Sequence, residues 1–292
     1  MLRKVNAYAK INLILDIISK SDNGYHNLFM IMQSVSLHDT VEVETTDSGK
    51  TVIECDTEGV PCDESNIAYK AAESFFDHTK LKCDGLRIKL IKRIPHAAGL
   101  AGGSADGAAV IFALNDMYGS KLSYSELVEV GLKVGADVPF CLFGSTRLAQ
   151  RYGDILSELP EMPDCYTVIC KPEQAVPTKG AYKAYDNEAS HIRHPDNYGM
   201  LEAVVSRDLD GICSRCDNVF EQVIEVCDRA YIKGTMRRFG AKATCMSGSG
   251  PSVFGIFESE DEAQKACDEL RKTVKQTYVC KPMRCGCEFV KE

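Results

Sequence analysis

The stretch Pro95-His96-Ala97-Ala98-Gly99-Leu100-Ala101-Gly102-Gly103-Ser104-Ala105-Asp106-Gly107 holds the densest chemical signal in the chain. Its glycines allow tight turns and close approach to a ligand, and its small side chains leave room. The helix that should follow offers unsatisfied N–H groups and a positive dipole end. Together these are the parts of a phosphate cradle. It is not a Walker A loop, because the only Gly-Lys-Thr, at Gly49-Lys50-Thr51, has Glu44 where the first glycine should stand. Nor is it GxGxxG, since Ala101 takes the second position when the count starts at Gly99. Alone, the loop also fits a tight strand-to-helix connection that binds nothing. Two short segments far from it in sequence change that balance: Ala7-Tyr8-Ala9-Lys10-Ile11-Asn12-Leu13 near the start, and a second glycine-rich turn, Met246-Ser247-Gly248-Ser249-Gly250-Pro251-Ser252. Taken alone, Lys10 reads as a surface lysine lying along its stem, and Asp137 as a helix or turn cap.

Composition narrows the partners. The chain has 292 residues, 45% hydrophobic and 26% charged, which is globular and excludes collagen-like and disordered classes. Lys and Arg number 34 against 42 Asp and Glu, a net charge of −8, so no general basic surface exists for nucleic acid or an anionic membrane. A local site for a small anion is still allowed. The 14 cysteines, with no signal-peptide pattern at Met1-Leu2-Arg3-Lys4 and no uninterrupted apolar run of spanning length, point to a reducing cytoplasm. Most read as small hydrophobes, although Cys213-x-x-Cys216 and Cys285-x-Cys287 could together ligate zinc. His191 and His194 fall in a polar segment, Asp186 to Tyr198, read as a solvated loop rather than a metal site.

Taken together, the three motifs resemble those of the GHMP kinase superfamily. Gly24-Tyr25-His26-Asn27-Leu28 and Gly135-Ala136-Asp137-Val138-Pro139-Phe140 extend the likeness to the branch that phosphorylates the 2-hydroxyl of a CDP-linked methylerythritol in the non-mevalonate isoprenoid pathway. The resemblance covers nearly the whole chain. It implies a two-domain α+β kinase with its active site in the cleft, using ATP and Mg²⁺ on a small-molecule substrate. Asp137 matches the catalytic base and Lys10 its cationic partner. Pro95 to Ala105 would hold the ATP phosphates, with the Ser104 hydroxyl near the metal or the β-phosphate and Asn66 on the adenine side. Tyr25 and His26 would offer the cytosine a face and an edge, Tyr182 (or Tyr185) a second face, and Asn12 a substrate-contacting amide. Related loops commonly carry glycine at Ala101 and serine at Ala105; Ala101 should therefore demand a backbone open to a side chain. The alternatives are another small-alcohol kinase of the same superfamily, of homoserine or mevalonate type, and a non-catalytic nucleotide-binding protein on this fold.

These residues need a frame. Residues 5 to 18 and 28 to 44 read as two strands of an early antiparallel sheet, broken by the Ser21-Asp22-Asn23-Gly24 turn. In the first, Ala7, Ala9, Ile11 and Leu13 should face one way and Tyr8, Lys10, Asn12 and Ile14 the other. A helix from Asn66 to about Thr79, a strand from Leu86 to Ile94, and helices from Ser104 to Met117 and Ser123 to Val134 follow. The Gly153-Asp154 turn and the polar Pro160 to Asp164 segment suggest two domains, 1–155 and 156–292. Strands Tyr166–Cys170, Ser252–Phe257 and Thr277–Pro282 and helices Asn218–Arg238 and Asp261–Val274 are expected in the second half. Mixed runs with an early hairpin favour α+β over a doubly wound sheet.

Overall fold

The computed structural model describes residues 1–21 and 24–291. Two long strands, β1 (Leu2–Lys20) and β2 (His26–Thr45), pair antiparallel from Leu2↔Glu44 to Lys20↔His26. Asp22 and Asn23 of the expected turn lie outside the described residues; on either side of them, Ser21 N–H donates to Tyr25 O at 2.8 Å and Gly24 N–H to Ser21 O at 2.9 Å. The remaining elements of the first half are β3 (Thr51–Cys55), α1 (Ile67–Thr79), β4 (Leu86–Ile91), α2 (Gly102–Met117), α3 (Tyr124–Val134), α4 (Val138–Phe143), β5 (Thr146–Arg151) and β6 (Ile155–Glu158). Then come β7 (Tyr166–Cys170), α5 (Thr178–Glu188), α6 (Asn197–Val205), α7 (Leu209–Arg215) and β8 (Asp217–Asn218). The chain ends with α8 (Arg229–Arg238), β9 (Ala243–Met246), β10 (Val253–Phe257), α9 (Glu260–Arg271), β11 (Thr277–Cys280) and β12 (Cys287–Phe289).

Two sheets organise these elements. The larger has the order β12-β1-β2-β4-β3, extended by β5 and β6 beside β2 and by β8 parallel to β1; the smaller runs β11-β7-β10-β9. Helix α2 lies across β1 and β2, and its Ala105, Ala108, Ala109 and Ala113 are fully buried, since small side chains let a helix sit close to a sheet. β6 spans the residues on either side of the 155/156 division, and β8 and β12 return to the first sheet from the later half.

Strict alternation along β1 fails. Every residue from Ala7 to Ile17 is buried, and the pairing with β2 shifts register at Tyr8/Ala9, Asn12/Ile14 and Ile17/Ser19. Such irregularities bend a strand and re-aim its side chains. Both faces are covered, so the apolar pattern is continuous rather than two-sided.

Three expectations need correction. The strand from Leu86 stops at Ile91 rather than Ile94, because the N–H groups of Arg93 and Ile94 both donate to the Asp39 carboxylate instead of a ladder. Asn218–Arg238 is not one helix. Asn218 sits in β8, donates its amide to Met246 O and Gly248 O at 2.8 Å each, and accepts from Phe220 N–H, which pins an extended residue and a short 3₁₀ turn where helix was expected. α8 begins only after Asp228, whose φ is +63°. The Asp186–Tyr198 segment is solvated, with none of its residues buried, but it is not all loop: α5 runs on to Glu188, α6 starts at Asn197, and His194 and Asn197 both bond to Asp16, which is 1% exposed on β1.

All 14 cysteines are free thiols, and only Cys62 and Cys227 are exposed. Burial pushes the Cys141, Cys216 and Cys245 thiols well above the usual range. Among the described residues, no group of three or more His, Cys, Asp or Glu is placed to hold a metal ion, and no helix is long and apolar enough to cross a membrane.

Candidate active site

The three motifs converge on one cavity of about 1380 Å³. Lys10, on β1, is 5% exposed; its backbone N–H donates to Leu100 O at 3.1 Å, which ties the first motif to the loop. The turn at 247–250 closes from the other side: Ser247 Oγ donates to Gly99 O at 2.9 Å, and a Cβ on Gly99, whose φ is +72°, would lie 2.2 Å from Ser247 O. Only glycine fits there. Of Pro95 to Ala105, all but Leu100 and Ala105 line the cavity. Those two are fully buried and anchor the loop beneath it.

Ala101 overturns the expectation attached to it. It is left-handed, φ +58° and ψ 29°, and caps α2 without a side-chain bond. The glycine-like path is kept at a cost of roughly 1–2 kcal/mol. The first helical bond runs from Ala105 N–H to Ala101 O at 2.8 Å, so the N–H groups of Gly102, Gly103 and Ser104 are left for whatever sits at the helix N-terminus. Ser104, half-buried, lines the cavity in that first turn.

Asp137 sits just before α4, makes no capping bond with its side chain, and faces the cavity with Oδ2 3.9 Å from Lys10 Nζ. Lys10 Nζ is held 2.7 Å from Asn12 Oδ1, which also accepts from Gly248 N–H at 3.0 Å. Asn12 is wholly buried and does not reach the cavity wall. Its amide aims Lys10 and joins β1 to the second glycine turn. Asn66 lines the cavity, but its side chain caps α1 through Ala68 N–H and donates to Pro61 O.

At the other end of the cavity are Tyr25, His26 and Tyr182. The His26 ring stacks on Tyr182, centroids 4.8 Å apart at 22°, while Tyr25 is 63% exposed and meets Tyr152 at 5.9 Å. Tyr182 is the cavity aromatic of its helix; Tyr185 is buried, with its hydroxyl donated to Ile17 O at 3.2 Å. Burial, then the Asp137 charge, pushes the Tyr182 phenol up to about 12, so it stays neutral.

Sequence reasoning missed several wall residues. Tyr152 follows Arg151 in the turn after β5, and Lys20, Lys92, Lys179, Lys183 and Asp186 also line the space. Lys92 bridges Asp39 and Asp106 directly beneath the loop. Among the described residues, five lysines against three aspartates line this cavity, a local excess of positive charge within a chain of net −8.

A phosphate loop, an ammonium–carboxylate pair and an aromatic end sharing one cavity define an ATP-dependent kinase of small molecules. Residues 66–145 match the GHMP kinases N terminal domain, and residues 218–276 match the GHMP kinases C terminal. A Clostridium acetobutylicum protein named 4-diphosphocytidyl-2-C-methyl-D-erythritol kinase is 39% identical over 94% of this chain and 98% of its own length. A crystal structure of 4-(cytidine 5'-diphospho)-2C-methyl-D-erythritol kinase superposes with a TM-score of 0.78 at 31% identity, covering 97% of this chain and 99% of that one. A homoserine kinase from Cytophaga hutchinsonii, at 21% identity and a TM-score of 0.79 over 99% of this chain and 97% of its own, shares the fold. The chain belongs to the GHMP kinase family.

Proposed function

We propose that this kinase transfers the γ-phosphoryl group of ATP to the 2-hydroxyl of 4-diphosphocytidyl-2-C-methyl-D-erythritol, in the cytoplasm. The observation that carries this reading is the position of the Lys10–Asp137 pair, 3.9 Å apart, in a cavity that also holds the phosphate loop and the Tyr25, His26 and Tyr182 cluster. At about 1380 Å³ the space exceeds what one drug-sized ligand needs. Phosphoryl transfer asks chiefly for positioning and charge stabilisation. The backbone N–H groups of Gly102 to Ser104 and the α2 dipole take the phosphate charge. The Asp137 carboxylate accepts the hydroxyl proton as the alcohol oxygen attacks the γ-phosphorus; the bond to the bridging oxygen breaks, and ADP leaves. Lys10 offsets the charge on Asp137 and on the attacking oxygen.

Mg²⁺ fits this site without a protein cage. That ion keeps much of its water and leans on nucleotide phosphates with one or two protein oxygens, and the Ser104 hydroxyl in the first turn of α2 would be one of them. When bound with ATP it supplies neutralisation of the phosphate charge. The 1–155 segment then contributes the loop and the catalytic pair, and 156–292 contributes Tyr182 and the 247–250 turn.

Purified protein given ATP and Mg²⁺ with the CDP-alcohol, homoserine or mevalonate should release ADP with the first alone. Asp137→Asn should lower kcat by about 10²- to 10⁴-fold. Equal turnover of homoserine, or an undiminished Asp137→Asn enzyme, would reject the assignment.

A further inference from the structure

The ring of His26 is held by a carboxylate that comes from the other half of the chain. Asp186, on α5, places Oδ1 2.7 Å from His26 Nε2 and Oδ2 2.6 Å from Lys20 Nζ. Lys20 and His26 face each other across the β1–β2 pairing. The Lys20 hydrogen bond, then that of His26, holds the Asp186 carboxyl below the usual carboxylate range, so it is ionised and can only accept. Nε2 must therefore carry the proton. In the neutral ring Nδ1 is then bare, and whatever His26 offers a ligand in the cavity is offered as an acceptor. Stacking on Tyr182 and the edge of Tyr185, 6.2 Å away at 87°, fix the ring plane.

We propose that Asp186 is a specificity-determining positioning residue: by fixing the His26 tautomer it makes the site accept a base with an exocyclic amino group, as cytosine has, over one presenting a carbonyl there, as uracil does. This rests on the cytidine diphosphate reading above. A cytosine amine donates to Nδ1, whereas a uracil carbonyl sets two acceptors against each other and leaves both unpaired, the kind of mismatch that polar sites reject strongly.

Asp186→Asn tests the idea because of Lys20. The single amide oxygen goes to the ammonium, turning the NH₂ group toward Nε2. The ring then has to put its proton on Nδ1. Wild type and variant should be assayed with ATP, Mg²⁺ and either the CDP-linked or the UDP-linked methylerythritol, and ¹⁵N-labelled histidine should be observed by NMR in parallel. We expect Nε2–H in the wild type and Nδ1–H in the variant. The cytidine-to-uridine ratio of kcat/KM should fall by about tenfold or more, with a smaller fall in kcat for the cytidine substrate. A wild-type ring protonated on Nδ1, or an unchanged ratio after the tautomer has switched, overturns the proposal while leaving the substrate reading intact. Wild-type protein that turns over neither nucleotide alcohol overturns the substrate reading and the base preference with it, and the NMR arm still reports the ring independently.

Discussion

Ala101 pays for its place in the loop with a left-handed backbone, φ +58°. Glycine there removes about 1–2 kcal/mol of steric cost but returns roughly 0.5–1 kcal/mol through its freer unfolded chain. Ala101→Gly should therefore stabilise by up to about 1 kcal/mol, a rise of about 2–4 °C in Tm, with the KM for ATP unchanged or lower. Ala101→Val should do the reverse, since a β-branched side chain does not tolerate this conformation; thermal melts of the pair with ATP kinetics decide it. At this scale the sequence was legible where a residue stands in a fixed motif, as Lys10, Asp137 and the loop do, and these are brought to one cavity. It was silent on Asn12 as the residue that aims Lys10, and on Tyr152 and Asp186. Their roles come from partners far away in sequence: Gly248 for Asn12, Tyr25 for Tyr152, and both Lys20 and His26 for Asp186.

Among the elements, the loop is braced at both ends by one buried cluster. Asp39 on β2 holds the N–H groups of Arg93 and Ile94 where the chain leaves β4, and Lys92 links Asp39 to Asp106 in the first turns of α2. Two carboxylates share one ammonium in a nearly dry space. Burial pushes the Asp106 carboxyl up to about 8, with Lys92 pulling it down and Asp39 raising it further. Oδ1 of Asp106 has no hydrogen-bond partner among the described residues. The folded state then binds a proton that the unfolded chain has already released above about pH 4. This contribution favours folding at low pH and is lost as pH rises from about 4 to about 8, with a slope of at most about 1.4 kcal/mol per pH unit. Asp106→Asn should fold and lack that slope, which denaturant midpoints taken across this pH range would reveal; identical slopes in variant and wild type would reject a proton on Asp106. α1, α3, α9 and β7 were readable from their residue patterns, and in α3 a Ser123–Glu126 capping box fixes the start where the pattern placed it. The stretch from Asn218 was not, because a mixed apolar and charged stretch of that length suits a helix until Asn218 is claimed by the backbone of the 246–248 turn.

Across the whole molecule, the later half does more than close a cleft. β12 pairs with Val5 to Ala7 of β1, Tyr8 N–H donates to Gly286 O at 2.9 Å, and the Tyr8 hydroxyl reaches Glu288 Oε2 at 2.9 Å. β1 carries Lys10 two residues further on. The described residues from Met283 on thus support the edge of the strand that presents Lys10, although none of them lines the cavity. Removing residues 283–292 exposes that edge, strips Phe112 of the Phe289 ring 4.7 Å away, and leaves the buried Tyr8 N–H without its acceptor. We expect a loss of several kcal/mol, seen as a fall of about 10 °C or more in Tm, together with a fall in kcat larger than any change in either KM, because Lys10 moves while the phosphate loop and the aromatic end keep their walls. Gly286→Ala is the point version: its Cβ would lie 1.9 Å from Cys141 O, backbone that cannot step aside. A truncated or substituted enzyme that melts and turns over like the wild type would mean that β1 holds Lys10 without help from the chain's end. A 1–155 fragment, lacking β8, β12 and the 247–250 turn, should by the same reasoning show no cooperative melt of its own.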